Sequence, residues 1–212
     1  SWAGSVPYKS MKLVAAHFGG TRQPLAVSWP KGIQQNIDYR QQFHHVTDIV
    51  PTIYEILKIT PPETVNGASQ DPIDGTSMMY TFDEAKAPTN KKTQFFDIMG
   101  SRGIYHDGYF ACTFGPREPW STGKPNIKDW NPLEDKWQLY DINEDWSQEN
   151  DISAQNQEKL LYMKDLFLLE STKNKNLPIG GGLWVPVLHP ELKPRPEQTE
   201  WNLIGPITRI PE

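Results

Sequence analysis

Apolar positions along the chain fall into short runs separated by turn-forming residues. Leu25, Ala26, Val27 and Trp29 make one run, closed by Pro30. Residues 23–29 therefore read as a strand apolar on both faces, the pattern of an interior, mainly parallel sheet. Over residues 47–58 the period changes. Ile49, Ile53, Ile56 and Leu57 form a stripe at helical spacing, Asp48 is placed as an N-cap, Pro51 falls in the first turn, and Thr60-Pro61-Pro62 ends the element. A strand followed by a helix suggests an α/β arrangement. Residues 61–92 are loop-rich, marked by Asn66-Gly67, Pro72 and Asp74-Gly75.

Four short runs then predict strands at 94–98, 102–106, 108–114 and 136–141. Asp107-Gly108 is a hairpin signal between two aromatic runs, so the set reads as an antiparallel meander. Residues 115–135 are a loop containing Pro and Trp. A helix capped by Ser153 or Asn156 and ending near 171 packs Leu160, Leu161, Met163, Phe167 and Leu168 on the sheet. After Asn174 the periodicity fails. The chain thus divides into an incomplete α/β portion (1–92), a small antiparallel-sheet subdomain with a closing helix (93–175), and a Pro-rich extended segment or linker (176–212).

Composition narrows the classes. The chain has 212 residues, enough for one core of ordinary size, but only 37% are hydrophobic and 19 are proline. That balance fits a loop-rich chain or a piece of a larger domain. A net charge of −5 gives no basic footprint for nucleic acid. A single cysteine, Cys112, excludes an internal disulfide and zinc sites of the Cys₄ or Cys₂His₂ type. Among aromatic residues it reads as a small buried hydrophobe. No apolar run approaches the roughly 18 residues of a membrane span. Ser-Trp-Ala-Gly at the start is no signal peptide, which says nothing of secretion if the chain begins mid-protein.

Candidate chemistry concentrates at Lys12–Arg22. A lysine precedes an irregular stretch, a Gly19-Gly20 turn and an arginine. Glycines there permit positive φ or close backbone approach. A cation ahead of such a turn can face an anion; Lys12 is the candidate, and nearby Lys9 could take the same role. His17 lies by the same turn, and Arg22 is read as bonding carboxylate or carbonyl groups at the strand entry. The histidines lack the spacing of a two-histidine metal site: His44 and His45 are adjacent and diverge, while His17, His106 and His189 stand singly.

These residues, followed by Phe43–Ile53 with its Asp48-Ile49-Val50-Pro51-Thr52, Asn66-Gly67, Asp74-Gly75-Thr76-Ser77-Met78, Gly100-Ser101-Arg102-Gly103-Ile104-Tyr105-His106-Asp107-Gly108-Tyr109 and Trp137-Gln138-Leu139-Tyr140-Asp141, resemble in order and spacing the C-terminal half of the catalytic region of the type I, formylglycine-dependent sulfatases. The blocks look like those of a bacterial arylsulfatase, over roughly residues 1–175. The resemblance implies part of an alkaline-phosphatase-like α/β domain with a small antiparallel sheet beside it. It also implies hydrolysis of sulfate esters by a formylglycine nucleophile, with Ca²⁺ or Mg²⁺ held by hard oxygen ligands. Lys12 becomes the catalytic, sulfate-binding lysine, and His17, Arg102 and His106 substrate-binding residues. A periplasmic or secreted location is implied as well.

Several family signatures are missing. No Cys/Ser-x-Pro-x-Arg motif is present: Cys112-Thr113-Phe114-Gly115-Pro116-Arg117 has its proline two places late, and Ser5-Val6-Pro7-Tyr8-Lys9 has lysine for arginine. The Asp-Asp and Asp-Asn dipeptides of the family's metal site are absent. The expectation is a fragment, inactive alone, whose partners are a sulfate-ester substrate, the N-terminal part of the same enzyme and, where the enzyme continues, a further C-terminal domain. Two alternatives stay open. One is a phosphatase or phosphonate monoester hydrolase of the same superfamily. The other is a non-catalytic carbohydrate-binding or interaction module, suggested by eight Trp and eight Tyr residues.

Overall fold

The computed structural model describes residues 5–33, 38–116, 130–177 and 179. Its elements in chain order are a one-turn helix α1 (Phe18–Thr21), a 3-10 turn (Val46–Asp48) leading into α2 (Ile49–Leu57), the two-residue strands β1 (Thr64–Val65) and β2 (Ala68–Ser69), a short α3 (Tyr80–Asp83), strands β3 (Thr93–Ile98), β4 (Ser101–His106), β5 (Tyr109–Thr113) and β6 (Gln138–Asp141), and α4 (Gln157–Lys173).

The organising element is the antiparallel sheet β3-β4-β5-β6, whose spatial order equals its sequence order. It is the meander that alternation and turn chemistry predict. Asp107 and Gly108 join β4 to β5 with φ of 45° and 87°. Both signs are positive, as the two-residue turn matching strand twist requires. Register places Phe96, Gly103, Cys112 and Gln138 in one row across the sheet. Alternation then gives the sheet two apolar faces.

One face carries Ile104, Ala111 and Leu139, covered by Leu160, Met163 and Phe167 of α4 together with Trp137. Leu161 and Leu168 do not join them: they lie on the outer side of α4, 58% and 38% exposed. The other face carries Tyr105, Phe110, Cys112 and Tyr140, covered by Val14, Ala16 and Phe18 from the N-terminal loop. Cys112 is fully buried there, and burial pushes its thiol far above the ordinary range. It is inert packing.

Three expectations are corrected. Residues 23–29 form no strand; they pair with nothing in a ladder, and Leu25 and Val27 face solvent. The run has the composition of an interior strand, but a strand exists only when ladder partners satisfy its backbone. Helix α2 forms, yet Asp48 does not cap it with its side chain, and its apolar stripe points outward. Arg22 sets its guanidinium on the rings of Tyr8 and Phe18, 5.1 and 5.9 Å from their centroids, and bonds no carboxylate among the described residues. Most of the loop expected over 115–135, and nearly all of the segment 176–212, lie outside the described residues.

Candidate functional site

The Lys12 loop is shaped by Gly19 and Gly20. Gly19 N donates to the Lys9 carbonyl at 2.9 Å, drawing the start of the loop onto α1. A Cβ at Gly19 would fall on the carbonyl oxygens of Lys9 and Ser10, and one at Gly20 on that of Val14. Neither glycine has positive φ, so their use is close approach of backbone to backbone.

Two side chains distant in sequence then clamp the loop to the sheet. Ser101 Oγ accepts from the backbone N–H groups of Ala15 (3.0 Å) and Ala16 (3.2 Å). Gln148, fully buried, accepts from Phe18 N at 2.7 Å through Oε1 and donates to the Ala16 carbonyl at 3.1 Å through Nε2. Sequence reading missed both. A serine in a strand and a glutamine in the polar stretch 145–150 carry no periodic signal. Replacing Gln148 by leucine strands a buried donor and a buried acceptor, so stability should fall by on the order of 2–4 kcal/mol. Gln148→Glu keeps the acceptor but sets a carboxylate oxygen against the Ala16 carbonyl in a fully buried site, so near neutral pH it should lose at least as much. Urea denaturation of both variants measures this, and a Gln148→Leu midpoint equal to wild type contradicts the clamp.

The cations of this loop differ in their surroundings. Lys9 is engaged with Glu149 at 3.3 Å. Lys12 is exposed and has no ion-pair partner among the described residues. Its neighbours Ser10 and Leu13 have φ of 65° and 75°, so the backbone on either side visits the left-handed region that ordinary side chains avoid.

His17 is buried rather than lining an open pocket. Its Nδ1 shares a hydrogen bond with Ser10 Oγ at 2.9 Å, and its ring packs edge-on against Phe114 at 4.8 Å. Burial, assisted by the Lys9 charge and opposed by Gln138, lowers its pKa to about 4. His17 is therefore neutral near pH 7 and braces the loop from beneath.

Arg102 and His106 lie across the sheet from this loop, on the side covered by α4. Arg102 is fully buried. Its Nη2 donates to Asp135 and to the Pro132 carbonyl, and its guanidinium lies over Trp130, Trp137 and Phe167 at 5.6, 5.5 and 6.0 Å. Burial pulls its pKa down and Asp135 opposes this. His106 pairs Nδ1 with Thr93 Oγ1 at 2.8 Å and sets its ring beside Tyr162 of α4. The four residues expected around substrate are thus not brought together. Lys12 and His17 share one loop, and the sheet separates them from Arg102 and His106. The reason is register: Arg102 and His106 have the same parity as Ile104, which faces α4.

A second polar centre holds the region after residue 40 in place. Asp48 is fully buried and accepts from Lys91 Nζ (3.0 Å), His45 N (2.8 Å) and Thr76 N (2.9 Å), with His44 Nδ1 3.7 Å away. Burial raises its pKa, but these partners outweigh burial and hold the carboxyl well below the usual range. Between this centre, Leu13–Ala15, Gly20-Thr21, the free edge of β3 and the end of α4 lies a cavity of about 780 Å³. Asp97 faces it, bonded by Asn176 Nδ2 at 2.9 Å, and burial pushes its carboxyl up.

The resemblance assigns Ca²⁺ or Mg²⁺ and formylglycine to residues that this sequence does not contain. No group of three or more His, Cys, Asp or Glu among the described residues is placed to hold a metal ion. Among the described residues no helix is long and apolar enough to cross a membrane.

No family model matches the chain, and no curated protein matches it. Solved structures do. A sulfatase of Bacteroides thetaiotaomicron, described with that organism's metabolism of multiple glycosaminoglycans, superposes with a TM-score of 0.52 at 22% identity. The match covers 76% of this chain and 31% of the other, so the chain spans about a third of that relative's length. A structure solved in complex with its substrate D-glucosamine-2-N,6-O-disulfate is looser, with a TM-score of 0.43, 15% identity, and coverage of 64% of this chain and 25% of that one. The first match establishes the fold class: helices with an antiparallel sheet, arranged as in part of a sulfatase.

Proposed function

We propose that this chain is the C-terminal portion of the catalytic region of a sulfuric ester hydrolase of the arylsulfatase type, and that its Lys12 loop contacts the sulfate. One observation carries the reading: the loop is fixed by Ser101 and Gln148 while Lys12, alone of the two nearby lysines, keeps an exposed ammonium without an ion-pair partner among the described residues. A fixed backbone that presents an unengaged charge is preorganised for an anion. The fold likeness and the ordered sequence blocks support the same reading.

The chain's own contribution is electrostatic. As the S–O bond breaks, negative charge builds on the bridging and sulfuryl oxygens, and a compact ammonium can neutralise it. His17, neutral and buried, holds the loop rather than moving a proton. The nucleophile and any divalent cation belong to residues outside this sequence.

The test is an assay on an aryl sulfate with an aryl phosphate beside it. The native protein should turn over the sulfate faster than the phosphate, whereas the 212-residue polypeptide alone should show no turnover. Enzyme-like rates from the polypeptide alone refute the division of labour. A preference for the phosphate moves the assignment to the phosphatases.

A further inference from the structure

Lys12 stands on a short ring of chain, residues 10–17, whose base is closed by three hydrogen bonds. Ser10 Oγ and His17 Nδ1, seven positions apart, share a buried bond of 2.9 Å. Gly19 N donates to the Lys9 carbonyl at 2.9 Å, and Ser5 Oγ donates to the Gly19 carbonyl at 3.1 Å. On the return side of the ring the N–H groups of Ala15 and Ala16 end on Ser101 Oγ. Val14 beside them is buried against the sheet, 3% exposed. Between the base and this return side lies the span Met11-Lys12-Leu13.

Both ends of that span are left-handed, at Ser10 (φ 65°) and at Leu13 (φ 75°). A residue with a Cβ keeps such a conformation only where its surroundings impose it, and such positions gather where geometry serves function. The surroundings of Ser10 are specific. The residue is 5% exposed, its carbonyl lies against the Gly19 backbone, and its hydroxyl meets His17. His17 is itself set by its edge-on contact with Phe114, so the bond fastens the start of the ring to the chain just after β5. A serine that only filled space would need neither the left-handed backbone nor the bond.

We propose that Ser10 is a positioning residue for Lys12: through its hydrogen bond to His17 it fixes the backbone from which the exposed ammonium is presented. The inference rests on the function proposed above, in which Lys12 contacts the sulfate. An ammonium lowers the barrier only where it stands close to the oxygen on which charge develops. A misplacement of about 1 Å can cost about 10² in rate. Ser10 is buried under the ring and acts through Lys12 rather than on substrate.

The test is a double-mutant cycle on aryl sulfate turnover in the catalytically competent protein. Ser10→Gly removes the hydroxyl while glycine accepts the positive φ. It should lower kcat at least about tenfold with unchanged far-UV circular dichroism. In the Lys12→Ala background the same substitution should change kcat less than about twofold, because the charge it positions is gone. From the other side of the bond, His17→Asn sets an amide where Nδ1 stood, whereas His17→Leu cannot bond Ser10. His17→Asn should turn over at least about threefold faster than His17→Leu. Equal fractional losses from Ser10→Gly in the two backgrounds, or a Ser10→Gly rate equal to wild type, overturn the inference. Should Ser10→Gly not fold, the His17 pair decides, and equal rates for His17→Asn and His17→Leu overturn it. Lys12→Ala without a rate defect removes the proposed function itself, whereas a defect there beside additive losses removes Ser10 alone.

Discussion

Replacing Asp48 by alanine is expected to lower stability by about 3–5 kcal/mol, the usual cost of removing one partner from a buried ion pair. Lys91 is only 5% exposed, so its ammonium would be left in the interior with a single remaining acceptor, the Asp74 carbonyl at 3.3 Å. The backbone N–H groups of His45 and Thr76 would lose their acceptor as well. The double variant Asp48→Ala/Lys91→Met removes the orphaned charge and should recover part of the loss. The pair also titrates. The folded carboxyl is held below its unfolded value, so its contribution is complete above that unfolded value, about pH 4, and disappears as pH falls toward the folded one. Urea midpoints of wild type and Asp48→Asn should therefore converge as the pH is lowered from about 5 to 2. A constant gap across that range would mean that the carboxylate charge contributes nothing.

Lys12→Ala in the catalytically competent protein is expected to lower kcat by about 10²–10³, the effect of losing one positioned charge-stabilising group. Its side chain is exposed, so the urea midpoint should stay within about 0.5 kcal/mol of wild type. Lys9→Ala is the matched control. It removes a cation three residues away that is already engaged with Glu149, and its rate effect should be far smaller. Equal rate losses from the two substitutions, or unfolding by Lys12→Ala without a specific rate defect, would remove Lys12 from the site.

What could be read in the sequence follows the range of the forces. The meander was legible because each strand alternates and each turn is local: Asp107-Gly108 needs no distant residue to adopt its φ values. Helix α4 was legible for the same reason: of the two caps offered, Asn156 holds the N-cap position, and the helix runs to Lys173 rather than about 171. Residues 24–29 and α2 were legible only as patterns, since composition states what a segment can bury but not whether its partner is present. Leu161 and Leu168 were misplaced because α4 is apolar on more than one side, and only the sheet decides which side is covered. At the candidate site, the lysine and the glycine pair could be singled out, although the glycines serve close approach rather than positive φ. Ser101 and Gln148 could not, being ordinary polar residues until the fold brings them under the loop. The β4 register that sets Arg102 and His106 on the α4 side, across the sheet from the Lys12 loop, was equally illegible in the sequence.

The clamp on the Lys12 loop has a kinetic consequence. The meander closes through neighbouring hairpins, whereas the loop's anchors span 86 residues to Ser101 and 130 residues to Gln148. Short-range closure precedes long-range closure, because the entropy of joining distant ends must be met before any contact rewards it. The sheet is thus the template and the Lys12 loop the late addition. During synthesis the loop emerges among the first residues of this stretch, yet its clamp is incomplete until first Ser101 and then Gln148 have left the ribosome.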